Sequence, residues 1–138
     1  MMNEIGVNAD NFAAYSPMLH DTVCEKLTFD YTTKKMILLL RYGKDITAVR
    51  RVIFNDVYAQ QMISCDYWGP SPHIYTWEIN NSGEGYLYKQ VMTEIENMGY
   101  DSARIDNNTK CIEVKITFTS GDVLTVLCKS AAIKETHE

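Results

Sequence analysis

The segment from Cys111 to Ile133 constrains the fold most, because it places Ile112, Val114, Ile116 and Phe118 in strict alternation with Glu113, Lys115 and Thr117, then interposes Ser-Gly-Asp before a second apolar run. A two-residue period sends alternate side chains to opposite faces of an extended chain, and a short Gly-containing loop between two such runs is the expected connection of an antiparallel hairpin. Comparable spacing recurs upstream. Val23, Leu27, Phe29 and Tyr31 are separated by even intervals, Thr-Thr-Lys-Lys supplies a turn, and Met36–Tyr42 reads as a strand buried on both faces.

Between Ile46 and Cys65 the chain is apolar and β-branched, and an Asn55-Asp56 break divides it into two expected strands. Val49, Ile53, Val57 and Gln60 also fall near helical spacing, so a single helix is the competing assignment. His73–Ile79 has strand composition. The one convincing helix spans residues 86–98, where Leu87, Val91, Glu94, Ile95 and Met98 form a stripe that must cover a sheet face, and Gly99 sits where a left-handed C-terminal cap belongs. The first twenty residues read as irregular, with one short helix capped by Asn8 or Asp10 and closed by Pro17. These elements predict an α+β fold over residues 1–138 as a single domain: an antiparallel sheet or small sandwich of six or seven strands with one packed helix. No strand-helix-strand rhythm of a doubly wound parallel sheet is present.

Charge narrows the function classes. The chain carries a net charge of −5, which argues against general nucleic-acid binding, since phosphate neutralisation calls for a basic surface. Residues 1–30 hold five acids against Lys26, whereas residues 31–66 are rich in Lys and Arg. No apolar run approaches the roughly 18 to 20 residues that span a bilayer, and the N-terminus lacks the basic start and apolar core of a secretory signal, so a cytoplasmic protein is expected, with no membrane partner. Cys24, Cys65, Cys111 and Cys128 are far apart and outside any zinc-ligand spacing, and are expected to be reduced core thiols rather than nucleophiles or metal ligands.

Chemistry-bearing side chains are few. His20-Asp21 is a metal-ligand dipeptide in other settings, but adjacent residues of an extended chain point apart, and a backbone role for Asp21 at the start of the strand is the expectation. His73 could serve as a general base oriented by Asp66 or Glu78, yet no nucleophile elbow, phosphate loop or dinucleotide fingerprint accompanies it. No catalytic residue, cofactor or metal is therefore assigned. The segment from Tyr67 to Trp77 holds both tryptophans and two of the three prolines, and large aromatics are enriched where protein partners gain most of their binding energy. Tyr67, Trp68, His73 and Glu84 are the expected binding residues, with Trp77 assigned to the core.

The stretch Ser16–Tyr42, reading SPMLHDTVCEKLTFDYTTKKMILLLRY, resembles the opening of a group of small bacterial proteins in which a Leu-His-Asp turn leads into a strand, a charged turn and a second strand. Some of these resemble immunity proteins of polymorphic toxins; the helix at 86–98 departs from the pattern. The resemblance implies a non-enzymatic protein-binding module, with a toxin as the kind of partner. Two alternatives stand beside it: a small-molecule binding domain or enzyme using a pocket near His20, Asp66 and His73, and a self-associating subunit joined through an unpaired sheet edge.

Overall fold

A computed structural model of the chain describes residues 3–43, 48–63, 73–81, 83–99, 103–106 and 108–136. Its strands are β1 (Asn3–Val7), β2 (Val23–Asp30), β3 (Lys35–Tyr42), β4 (Ala48–Ile63), β5 (Ile74–Asn81), β6 (Ile112–Phe118) and β7 (Val123–Thr136), with helices α1 (Phe12–Leu19) and α2 (Tyr86–Met98). All pair antiparallel in one sheet of order β2-β3-β4-β7-β6-β5, with β1 added beside β7. The α+β expectation holds, as one sheet rather than two stacked ones.

The frame is the long β4–β7 pair. Its register runs from Val49 opposite Thr136 to Ile63 opposite Val123. Two segments of the sequence thus join into one strand of 16 residues, and the helical alternative for them is incorrect. The reason is the β-branched run Val49–Phe54, whose inward residues Val52 and Phe54 pair with Ile133 and Ala131 and bury completely or nearly so. Asn55-Asp56 does not end the strand but bends it. Asp56 adopts a positive φ of 50°, and the residues at 56, 129 and 130 are exposed while Val57 and Cys128 return to the interior.

That bend folds the sheet over its own core. Met36, Leu38 and Leu40 of β3 share one apolar cluster with Trp77 of β5, Val114 and Ile116 of β6, and Leu124 and Val126 of β7. The far edges of the sheet meet as well: Val23 and His73 form an isolated antiparallel bridge, Asp21 N–H donates to Ile74 C=O at 3.0 Å, and Ile74 N–H donates to Thr22 C=O at 3.0 Å. The sheet is a roll, its two edges joined at one end of β2.

Several local expectations are corrected. Residues 3–7, read as irregular, form β1, because pairing with Glu135–Ala131 supplies backbone partners that a short isolated segment cannot supply itself. Helix α1 starts after Asn11 and contains Pro17 rather than ending at it. The Asn8 side chain instead accepts from the N–H groups of Asp10 and Asn11, ordering the loop that leads into the helix. Alternation in β2 fails at a bulge between Cys24 and Lys26, so Cys24 rather than Val23 pairs with the buried Leu40, while Leu27, opposite the buried Leu38 on this edge strand, is 39% exposed. Met36–Tyr42 is fully buried only on its Met36, Leu38, Leu40 face.

Helix α2 lies on the outer face of the roll against β4 and β7, where Leu87 and Met92 bury with Ile105, Cys111 and Leu127. Met98, assigned to its stripe from spacing, is 87% exposed, and Met92 takes the buried place. Gly99 caps the helix with φ 94° and ψ 150°, a positive-φ conformation open to glycine but extended rather than left-handed helical. The N-terminus is capped from outside the helix. Gly85 offers no side chain, and the buried Glu113 of β6 accepts from the N–H groups of Leu87 at 3.2 Å and Tyr88 at 2.7 Å. A carboxylate at this end satisfies orphan donors and meets the positive pole of the helix dipole. It also requires glycine beside it, since a Cβ on residue 85 would come within 2.2 Å of the Glu113 carboxylate.

Gly85→Ala should therefore destabilise the fold by about 1–3 kcal/mol through overpacking, and Glu113→Ala by about 1–2 kcal/mol through loss of the cap. Denaturant unfolding of the double variant should show a cost clearly below the sum of the two, because removal of the carboxylate removes the clash; strict additivity would show that the two residues do not meet.

Candidate functional site at the seam of the roll

The place where the sheet edges join also gathers chemistry-bearing side chains. Helix α1 delivers them. It packs on β5, sends Leu19 completely into the core, and sets Phe12 edge-on to Trp77 with ring centroids 6.2 Å apart. Its C-terminal end is held by Arg50 of β4, whose guanidinium donates to Met18 C=O at 2.5 Å and to Glu135 at 2.8 Å while stacking on the Tyr42 ring at 3.6 Å. A planar guanidinium can satisfy a carbonyl, a carboxylate and an aromatic face at once, which an ammonium cannot.

Leu19-His20-Asp21-Thr22 then turns the chain into β2. Asp21 takes φ 64°, a left-handed conformation that Asp tolerates better than most residues, and Thr22 bonds back to Leu19 C=O through its hydroxyl at 2.6 Å. The expectation that His20 and Asp21 point apart fails for this reason: in the turn, His20 Nδ1 lies 3.2 Å from the Asp21 carboxylate. Asp21 does bond backbone at the start of the strand, but through its own N–H to Ile74 C=O.

His73 stands on the opposite side of the seam, half-buried, with its carbonyl accepting from Thr119 N–H at 2.8 Å. Two residues on, Tyr75 is skipped by a register shift between Ile74 and Thr76. A bulge of this kind re-aims the side chain of the extra residue. The Tyr75 ring is 58% exposed and lies 6.4 Å, centroid to centroid, from His20. Beside this pair, Phe12, Ala13, Ser16, Pro17 and His20 line an open groove of about 540 Å³. Asp21, which pairs with His20, is exposed at one end of the groove, and Asp10 is exposed in the loop that precedes Phe12.

Of the residues expected from the sequence, His20 and His73 are thus brought to one seam. Glu84 is not: it is exposed beyond the far end of β5, and the seven steps of that strand put it roughly 23 Å from His73 at 3.3 Å per residue. Tyr67, Trp68, Asp66 and Cys65 lie outside the described residues. Trp77 is in the core as expected, and its indole Nε1 is a buried side-chain atom without a hydrogen-bond partner among the described residues. The sequence reading missed Phe12, Pro17 and Tyr75. Phe12, Ser16 and His20 recur at four-residue steps along one helix face, a signal present in the sequence; the exposure of Tyr75 depends on a bulge that spacing does not reveal.

Among the described residues, no group of three or more His, Cys, Asp or Glu side chains could hold a metal ion, and no helix is long and apolar enough to cross a membrane. Cys24, Cys111 and Cys128 are free thiols. Burial pushes the Cys24 thiol up to about 11 against a weaker opposing bond at Lys26, and burial with the neighbouring Cys111 pushes Cys128 up to about 12. Since the thiolate is the nucleophile, both are inert near neutrality. Comparison with protein-family models found no match, and comparison with the curated proteins found none.

Iodoacetamide at about pH 8, half a unit below an unperturbed thiol, should modify Cys24 and Cys128 far more slowly in the native protein than after denaturation. Peptide mapping by mass spectrometry reads this directly, and equal native and denatured rates at either position would contradict the burial described.

Proposed function

We propose that this protein is a protein-binding module that engages a basic partner through the seam face formed by α1, the Leu19–Thr22 turn and the start of β5. The observation that carries the reading is the open groove of Phe12, Ala13, Ser16, Pro17 and His20, with the exposed Tyr75 ring and the Asp21 carboxylate both beside His20. Exposed aromatic rings provide large contact area with little conformational entropy to lose, and the groove floor is fixed by Leu19, Trp77 and Arg50 beneath it. Segment 64–72, which contains Tyr67 and Trp68, leads directly into His73 at the same seam.

The finer reading is an immunity-type inhibitor of a bacterial toxin, with acidic side chains here meeting a basic toxin surface. Charge complementarity would accelerate encounter and make association fall with salt. The groove volume also lies within the range of small-ligand pockets. Its lining, however, comes from α1 and the turn that follows, without an enclosing opposite wall among the described residues, which favours an extended partner surface over an engulfed ligand.

Affinity capture with the purified chain followed by calorimetric titration of the isolated pair tests the reading. Tyr75→Ala and a Tyr67→Ala/Trp68→Ala double variant should each weaken binding at least about tenfold, or 1.4 kcal/mol, whereas Tyr86→Ala, exposed at the start of α2, should leave it unchanged. Undiminished affinity in both of these variants would remove the assignment.

A further inference from the structure

At the opposite end of β2, some seven residues or roughly 23 Å along the strand from the seam, two separate elements converge on a single residue of β4. Val57 N–H donates to the carbonyl of Lys34 at 2.8 Å, and Val57 C=O accepts from Arg104 Nη1 at 3.0 Å. The β2–β3 hairpin and the connector between α2 and β6 are thereby fixed on either side of the bend in β4. Between them lies a cleft of about 210 Å³ lined by Phe29, Tyr31, Lys34, Tyr58, Gln60 and Arg104, with Val57 and Ala59 at its base.

The chemistry of that lining is specific. Lys34 Nζ rests 3.7 Å from the Tyr31 ring centroid, and the Arg104 guanidinium lies 5.1 Å from that of Tyr58. Neither cation is ion-paired with a carboxylate among the described residues. The nearby Asp30 carboxylate is occupied by the N–H groups of Thr32 and Thr33 in the hairpin turn, while Asp56 is exposed. Two cations held on aromatic faces, neither of them ion-paired among the described residues, thus line one cleft of a chain whose net charge is −5. The backbone adds a further sign of constraint. Lys34 at φ 57° and Asp56 at φ 50° are non-glycine residues in the left-handed region, and such residues persist where the surrounding structure over-determines them. Tyr58 is itself the bulge residue between Val57 and Ala59, which turns its ring toward the cleft. Burial first, and then the Asp56 charge, raise the Tyr58 phenol above its ordinary value, so it keeps its proton and can donate it in a hydrogen bond.

We infer that this cleft binds a phosphate monoester carried on a flat ring, with Lys34 and Arg104 as its charge partners and Phe29, Tyr31 and Tyr58 as the surfaces that receive the ring. Two cations match a dianion, and the guanidinium fork is suited to two of its oxygens. At about 30 Å³ per water, the cleft corresponds to some seven waters, enough for one phosphorylated ring and too little for a whole dinucleotide. The tyrosine faces hold the two cations in place without an ion pair among the described residues, so a ligand oxyanion has no carboxylate there to displace from either of them.

The test is a titration of the full chain with phenyl phosphate, followed by amide chemical shifts in nitrogen-edited NMR. Saturable shifts are expected at Lys34, Tyr58 and Arg104 with a millimolar dissociation constant. Lys34→Asn removes the charge while keeping a residue that tolerates positive φ, and should weaken binding at least tenfold; Arg104→Lys keeps the charge but loses the fork, and should weaken it several-fold. Thermal melts establish that both variants remain folded. Phosphotyrosine amide and a nucleoside monophosphate as further probes distinguish a phosphorylated side chain from a free nucleotide, the tighter of the two naming the source. Absence of saturable shifts, an unchanged affinity in folded Lys34→Asn, or benzoate binding as tightly as phenyl phosphate would each overturn the inference. None of these results bears on the seam face, which is read by a different partner and different variants.

Discussion

The pairing of β4 with β7 is the interaction on which the rest of the molecule depends. An antiparallel ladder from Val49–Thr136 to Ile63–Val123 is long enough that a straight, evenly twisted pair would leave both faces wide and difficult to cover. The bend at Asn55-Asp56 and Lys129-Ser130 resolves this by turning one half of the sheet over the other, so that the inward residues of β3 meet those of β5 and β6 in one core. Bulges and local left-handed residues are the usual means by which a sheet acquires such curvature. The outer face of the second half is then left for α2, which buries Leu87 and Met92 against Leu127.

The same curvature creates both candidate binding regions. Closing the roll brings His73 beside Val23 and so places the turn at His20-Asp21, the α1 groove and Tyr75 together. At the other end it brings the β2–β3 hairpin against Val57, where Lys34 and Arg104 arrive from opposite sides. At the seam, backbone hydrogen bonds between the ends of β2 and β5 fix the positions; at the cleft, a backbone bond at the end of the β3–β4 ladder and the Arg104 side chain do so. Arg50 contributes in the same way at the seam, by tying α1 to β3, β4 and β7 through one side chain.

Three bulge positions mark where reading by period alone loses the phase. Glu25, Tyr58 and Tyr75 are each passed over in the strand register, and after each of them the inward and outward assignments shift by one. Cys24 in place of Val23 faces the buried Leu40, and Tyr75 becomes a candidate contact, for this reason. Upstream, β1 escaped recognition because its five residues have little alternation of their own; they are a strand because the C-terminal half of β7 offers them an open edge. Helix α2 was legible in its extent, but its buried residue Met92 was not, since six residues of α-helix put it about 120° around the axis from Met98, on the flank of the stripe that spacing selects, while Met98 in the last turn is left exposed.

What the sequence by itself determined is the set of antiparallel hairpins and the single long helix, because the two-residue and 3.6-residue periods of apolar side chains dictate which elements can bury a face. It determined also the assignment of Trp77 to the core. What only the tertiary structure decided is that the sheet rolls upon itself, that His20 and His73 share a seam while Glu84 stands apart, and that Glu113 caps a helix more than twenty residues before it. The physical reason is that those outcomes depend on hydrogen bonds and contacts between residues distant along the chain, and on bends and bulges of one residue, neither of which alters the local periodicity that a linear reading can detect.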